Sequence, residues 1–140
     1  MTLTALLMLA EKATAGSREL DYAIAEWAHS RLLASYRRLD GDNGWYSDDP
    51  PISGANKIAP ADAYTFSIDC ALGLVERLLP GWRVAIYQMA GHWQVSLAEV
   101  DAETDLAVDD YFEDGPTAPL AILRTLLRSL ISQEHKDGHP

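Results

Sequence analysis

Basic residues, cysteine and long apolar runs are all scarce in this chain of 140 residues. It contains 11 lysines and arginines against 21 aspartates and glutamates, which gives a formal net charge of −10. Because proteins capture a nucleic-acid backbone with clustered Lys and Arg, this charge argues against direct nucleic-acid binding and is compatible with a basic protein partner. No apolar run approaches the roughly 20 residues that span a bilayer, so we expect no membrane segment.

The single cysteine, Cys70, excludes an intrachain disulfide and fits a reducing compartment. It falls inside a helical pattern, which favours a buried apolar thiol over a nucleophile. The first ten residues are apolar but lack the positively charged segment that precedes a secretory signal. A cytosolic location is therefore expected.

The chain contains enough hydrophobic residues for one core, because they make up 48% of the sequence and the length is typical of one domain. We predict a single α+β domain over residues 1–132 and a flexible polar tail over 133–140. Apolar residues at helical spacing, each run preceded by a Ser or Thr cap, predict four helices. They cover about 3–14, 18–38, 67–79 and 118–132.

Alternation with a period of two predicts a β-hairpin over about 82–98, the basis of a small antiparallel sheet packed with the helices. Val84 and Ile86 lie on one face of the first strand, and Val95 and Leu97 on the matching face of the return strand. The alternation weakly indicates a third strand over 106–112.

Two segments depart from these patterns. Residues 40–62 are rich in Asp, Gly and Pro and predict a long loop, with Trp45 and Tyr46 at its centre. Residues 99–114 contain eight acids and no base, which favours a solvated acidic segment. Both segments are candidates for function because the remaining motifs are accounted for by capping and packing.

Several motifs are similar to those of a family of small phage and prophage proteins with an α/β/α-sandwich ("ABA sandwich") domain. They are Tyr64–Val75, Pro80-Gly81-Trp82, the hairpin ending near Trp93, Thr117–Ile122, and the early segments Leu6–Glu11 and Ser17–Asp21. The resemblance implies a phage or prophage origin, the sandwich fold, and hence the cytoplasm of a bacterial host. It implies no catalytic residue.

No pattern in the sequence predicts a catalytic group, a metal site or a cofactor, so we expect a binding protein that is not an enzyme, and a hydrolase ranks third, behind the two binding hypotheses that follow. One hypothesis is an acidic, aromatic-containing surface that blocks a host protein, for instance a defence component. Its predicted residues are Asp105, Asp109, Asp110, Tyr111, Phe112, Trp45 and Tyr46. The alternative is a pocket that sequesters a nucleotide-like small molecule, such as an immune signal, built from Arg83, Tyr87, His92, Gln94, Arg124 and Arg128. An uncovered apolar edge of the hairpin would also invite a homodimer.

Overall fold

In a computed structural model of the chain, residues 2–28 and 63–136 are described with their side chains. The backbone of His29 and of residues 36–38, 44–47 and 58–60 is described as well. These residues form four helices and two antiparallel sheets, which confirms the α+β class. The elements are α1 (Leu3–Lys12), α2 (Arg18–His29), β1 (Tyr36–Arg38), β2 (Gly44–Ser47), β3 (Ile58–Pro60), α3 (Ile68–Leu78), β4 (Arg83–Met89), β5 (His92–Val100), β6 (Ala107–Gly115) and α4 (Ala118–Lys136).

All four helices begin at a hydroxyl side chain that accepts a hydrogen bond from a free amide of the first turn. The Oγ atoms of Ser17 and Ser67 both lie 3.2 Å from the amide nitrogen three residues ahead. Thr2 and Thr117 do the same at 3.1 and 3.3 Å. The first amides of a helix have no partner within the helix, so a hydroxyl side chain at that position stabilises the helix start. These four caps confirm the predicted helix starts.

The main sheet consists of β4, β5 and β6, in that order and antiparallel throughout. Val84 lies opposite Leu97 and Ile86 opposite Val95, which is the pairing that the alternation predicts. The hairpin turn contains only Ala90 and Gly91, and Gly91 has a φ of 82°, a conformation that side chains other than glycine rarely adopt.

Helix α4 forms the centre of the core. It packs on one face of the main sheet against β5 and β6, while α1 and α3 pack against α4 itself. Its fully buried side chains include Leu120, Leu123 and Leu126. The turn into α4 needs glycine at position 115, since a Cβ there would lie 2.6 Å from the amide nitrogen of Ala121.

A smaller sheet corrects two predictions. The predicted helix over 18–38 and the predicted loop over 40–62 both contain strand, because β1 pairs with β2 and β2 with β3. Strands of three or four residues have little stability of their own, so pairing among the three segments decides the structure here and not the spacing of residues within any one of them. Trp45 and Tyr46 lie in β2, and their side chains fall outside the described residues.

The acidic segment 99–114 is also not a solvated loop. Most of it is β6, which extends the weakly predicted third strand to Gly115. A tight turn joins it to β5, held by the Asp101 carboxylate, which accepts from the amide of Glu103 at 2.8 Å. The last helix likewise continues to Lys136, so 133–136 is helical and not part of a flexible tail; residues 137–140 lie outside the description.

A buried polar cluster joins α2 to the segment before α3. The Asp21 carboxylate is fully buried and accepts from the Thr65 amide at 2.7 Å and from Arg18 Nη1 at 2.8 Å. The Ser17 amide donates to Thr65 Oγ1 at 2.8 Å. Burial alone would lower the pKa of Arg18, but its contacts with Tyr22 and Asp21 outweigh burial and raise the pKa.

In the described part of the chain, the main sheet carries helices on one face. This arrangement supplies one helical layer of the predicted α/β/α sandwich, and no described helix packs extensively on the other face of the main sheet. None of the described helices is long and apolar enough to cross a bilayer.

Candidate binding face

The two faces of the main sheet carry different side chains, and β6 shows the difference most clearly. Its alternate residues Asp109, Tyr111 and Glu113 share the face of Leu97 and Val95, against which α4 packs. We call this the inner face. The residues between them, Asp110, Phe112 and Asp114, share the opposite face with Ala98, Ser96 and Gln94, and we call this the outer face.

Each polar side chain of β6 on the inner face has a partner on α4. Lys136 donates to the Asp109 carboxylate, and this hydrogen bond raises the pKa of Lys136. The Tyr111 and Ser132 hydroxyl oxygens lie 2.8 Å apart. Arg128 Nε lies 3.2 Å from a Glu113 oxygen. Tyr111 also stacks on Trp82, with ring centroids 6.0 Å apart. These groups therefore join the sheet to the helix.

The outer face presents aromatic side chains to solvent. Strand pairing places Tyr87, Gln94 and Asp114 in one row across the three strands. The adjacent row is formed by Ala85, Ser96 and Phe112. The Phe112 side chain is 52% exposed and Tyr87 is 49% exposed, although both belong to regular strands. Met89, at the end of β4, is 45% exposed on the same face.

Acidic groups flank these aromatics. Asp110 is exposed, and no described residue forms an ion pair with it. Asp114 lies 3.9 Å from His92 Nε2, and both side chains are largely open to water. Arg83, at the start of β4, contacts Asp105 of the turn at 3.2 Å. The outer face therefore combines exposed rings with a carboxylate, that of Asp110, which has no cationic partner among the described residues.

The three arginines of the predicted small-molecule pocket do not converge. Arg124 donates to the backbone carbonyls of Ala10, Glu11 and Ala13 at 2.9–3.0 Å, and so caps the carboxyl end of α1. Its Nη1 donates to the carbonyl of Asp114 at 2.9 Å. Arg128 is engaged by Glu113 on the inner face, and Arg83 by Asp105. Arg124 is thus a structural residue and not a solvent-facing one.

The structure splits both predicted residue sets between the two faces. Of the protein-binding set, Asp110 and Phe112 lie on the outer face, Asp109 and Tyr111 are engaged on the inner face, and Asp105 belongs to the turn. Of the pocket set, Tyr87, His92 and Gln94 share the outer face with Phe112. Met89 and Asp114 also lie there, although neither was predicted from the sequence to be a site residue. Had the alternation of side chains between the two faces been followed through 107–115, it would have placed Asp114 on the outer face.

The described residues contain no group of three or more His, Cys, Asp or Glu side chains arranged to hold a metal ion. The chemistry available on the outer face is aromatic stacking, hydrogen bonding through Gln94, and attraction of cations by Asp110 and Asp114.

No protein-family model matches the chain, and no curated protein matches it. Among solved structures, the chain is similar to a phage protein from Bacillus cereus ATCC 14579. The two share 19% sequence identity with a TM-score of 0.46, over 84% of this chain and 96% of that chain. The phage protein family to which the sequence motifs are similar stays a prediction.

Proposed function

We propose that this protein is a non-catalytic phage or prophage accessory protein that binds a host protein in the bacterial cytoplasm through its outer face. The observation that supports this proposal is the exposure of Phe112 on β6 and Tyr87 on β4, on the same face of the main sheet as Asp110 and Asp114. Exposed rings anchor protein interfaces, and charge of one sign steers the encounter. Blocking a defence component is one way in which such binding would serve a phage.

The chemistry of the partner follows from the charges. The net charge of −10 and the exposed carboxylate of Asp110 favour a partner whose contact surface carries Lys or Arg. Aromatic faces attract the same cations, so Tyr87 and Phe112 reinforce the preference. Association should therefore be faster at low salt and slow down as ionic strength rises.

The experiment is affinity capture from a bacterial host lysate followed by a binding measurement on the captured protein. One variant combines Phe112→Ser with Asp110→Asn and Asp114→Asn on the outer face. The matched control combines Glu11→Gln and Glu76→Gln, which removes the same number of charges at exposed positions on the helices. We expect the outer-face variant to bind at least about tenfold more weakly, a loss of ~1.4 kcal/mol, and the control to bind normally. Equal binding by both variants would remove the outer face from the proposal.

A second candidate function is the capture of a nucleotide-like small molecule. It is supported by Tyr87, Gln94 and His92 sharing the outer face, where a ring to stack on and hydrogen-bonding groups are available. The predicted arginines are poorly suited to bind a phosphate group, because Arg83, Arg124 and Arg128 each donate to oxygen atoms of the protein. We therefore rank this candidate second.

Thermal-shift screening against nucleosides and nucleotides distinguishes the two candidates. A ligand at 100 times its dissociation constant stabilises the folded state by ~2.7 kcal/mol, which is easily detected. Stabilisation that Tyr87→Ala and Gln94→Ala both abolish would favour the small-molecule function. If no nucleoside or nucleotide shifts the melting temperature, this candidate is rejected.

A further inference from the structure

Strand β4 forms one edge of the main sheet, and it is covered differently from β5 and β6. Among the described elements, α4 packs on β5 and β6, whereas β4 packs extensively against β5 alone. As a result Val84 and Ile86 are only half-buried, although they point to the inner face. The edge and the inner surface beside it are thus both incompletely covered by the described residues.

Strand geometry identifies the backbone groups that this edge presents. Met89 and His92 close the two-residue hairpin turn, so they form a hydrogen-bonded pair. Hydrogen-bonded and non-hydrogen-bonded pairs alternate along an antiparallel ladder. The amides and carbonyls of Val84, Ile86 and Gln88 consequently point away from β5, toward the free edge.

Edge strands normally carry features that prevent pairing with another strand, such as Lys, Pro, inward-pointing charges or a bulge. β4 has none of them: over its seven residues the one charged side chain is Arg83, which Asp105 engages. The opposite edge strand, β6, carries Asp109, Asp110, Glu113 and Asp114 and is paired to β5 through an irregular register. The β6 edge is therefore protected against association, whereas no described strand pairs with the outer edge of β4.

We propose that β4 pairs antiparallel with β4 of a second copy of this chain, around a two-fold axis at Ile86, to form a six-stranded sheet. In this register Val84 lies opposite Gln88 of the second copy, and Ala85 lies opposite Tyr87. No charged side chain meets a like charge, and the outward groups of Val84, Ile86 and Gln88 supply about six hydrogen bonds.

The high net charge does not oppose this association. The acidic strands of the two copies are separated by five strand spacings of about 4.8 Å, roughly 24 Å in all. That distance is well beyond the Debye length of ~8 Å at physiological ionic strength. On the inner face, the half-buried Ile86 side chains of the two copies meet, which covers apolar surface that one copy leaves open. The two outer faces join side by side into one continuous surface.

The test is the molar mass of the full-length protein in solution, by sedimentation equilibrium between about 1 and about 100 μM, a range that brackets micromolar association. We expect a dimer. Gln88→Pro removes one amide that points to the free edge and leaves the β4–β5 hydrogen bonds intact. It should weaken association by at least about tenfold. Gln88→Ala, which keeps the amide, should remain dimeric.

A second pair of variants decides the question if Gln88→Pro does not fold. Ala85→Lys with Tyr87→Lys places like charges opposite each other across the two-fold axis and should give a monomer. Ala85→Lys with Tyr87→Glu places opposite charges there and should restore the dimer. A monomeric parent protein at about 100 μM, a trimer or larger assembly, or equal association by these two variants would overturn the proposal. These measurements need no host partner, so their outcome is independent of the proposed function.

Discussion

The inner and outer faces of the main sheet are made from the same strands and have opposite environments. Along β6 an acidic or aromatic residue occupies each position from 109 to 114, yet Asp109, Tyr111 and Glu113 are each engaged by α4. Asp110 and Phe112, one residue away, are exposed to water. Register along a strand, and not composition, therefore decides which acids stabilise the fold and which are available to a partner. Four predictions test this view, and two of them compare the faces directly.

The largest effect is expected for the apolar residues. Leu97→Ala on the inner face deletes a fully buried side chain and should lower the free energy of unfolding by about 2–5 kcal/mol. Phe112→Ala on the outer face should cost no more than about 1 kcal/mol, because half of its side chain is already in water. Urea denaturation measures both. Similar losses would show that the outer face also stabilises the fold.

Arginines provide the second comparison. Arg124→Ala removes hydrogen bonds to carbonyls of Ala10, Glu11 and Ala13 and should cost about 2–3 kcal/mol. Arg83→Ala breaks an ion pair in which Asp105 is 88% exposed, and should cost less than about 1 kcal/mol. Hydrogen exchange in α1 provides a second readout, since its last turn should open more often in the Arg124 variant. Unchanged exchange in α1 would contradict the capping role.

Two tyrosine hydroxyls give a smaller contrast. Tyr111→Phe removes the hydroxyl that lies 2.8 Å from Ser132 Oγ and should cost about 1 kcal/mol in unfolding free energy. Tyr87→Phe should leave stability unchanged, because Tyr87 is half-exposed on the outer face. A double-mutant cycle with Ser132→Ala isolates the hydrogen bond. Zero coupling in that cycle would mean that water replaces the lost partner without cost.

The smallest effect concerns pH. The hydrogen bond to Asp109 raises the pKa of Lys136 above its ordinary value of 10.5, so this pair stabilises the folded state at pH values below 10.5. Its contribution disappears as the pH rises through the raised pKa. The stability difference between the parent protein and Lys136→Met should therefore be constant from pH 7 to 9 and shrink above pH 10.5. The same profile is expected for Asp109→Asn, and a difference that persists at high pH would exclude the ion pair as its source.

Local chemistry in the sequence predicted the helix starts and the hairpin, because capping hydroxyls and alternating apolar residues act within a few positions of each other. It also pointed to the segment around 106–114. It did not predict the length of β6, since acids have low strand propensity and pairing with β5 holds them in register.

Likewise, the small sheet depends on pairing among β1, β2 and β3. No local pattern in residues 36–60 predicts this pairing. The role of Arg124 depends on a partner 114 positions away, at Ala10. For the candidate site, the sequence identified Phe112, Asp110, Tyr87 and Gln94 but divided them between two hypotheses. Only the strand register brings them to one face.

The cap that Arg124 places on α1 has a consequence for the order of events during synthesis. The carbonyls at the end of α1 emerge from the ribosome more than 100 residues before the guanidinium that satisfies them. Among the described elements, α4 provides the main cover of the inner face of the main sheet, and it is translated after all three strands. We therefore expect the nascent chain up to β6 to remain incompletely folded, with its apolar strands available to chaperones, until residues 118–136 leave the exit tunnel.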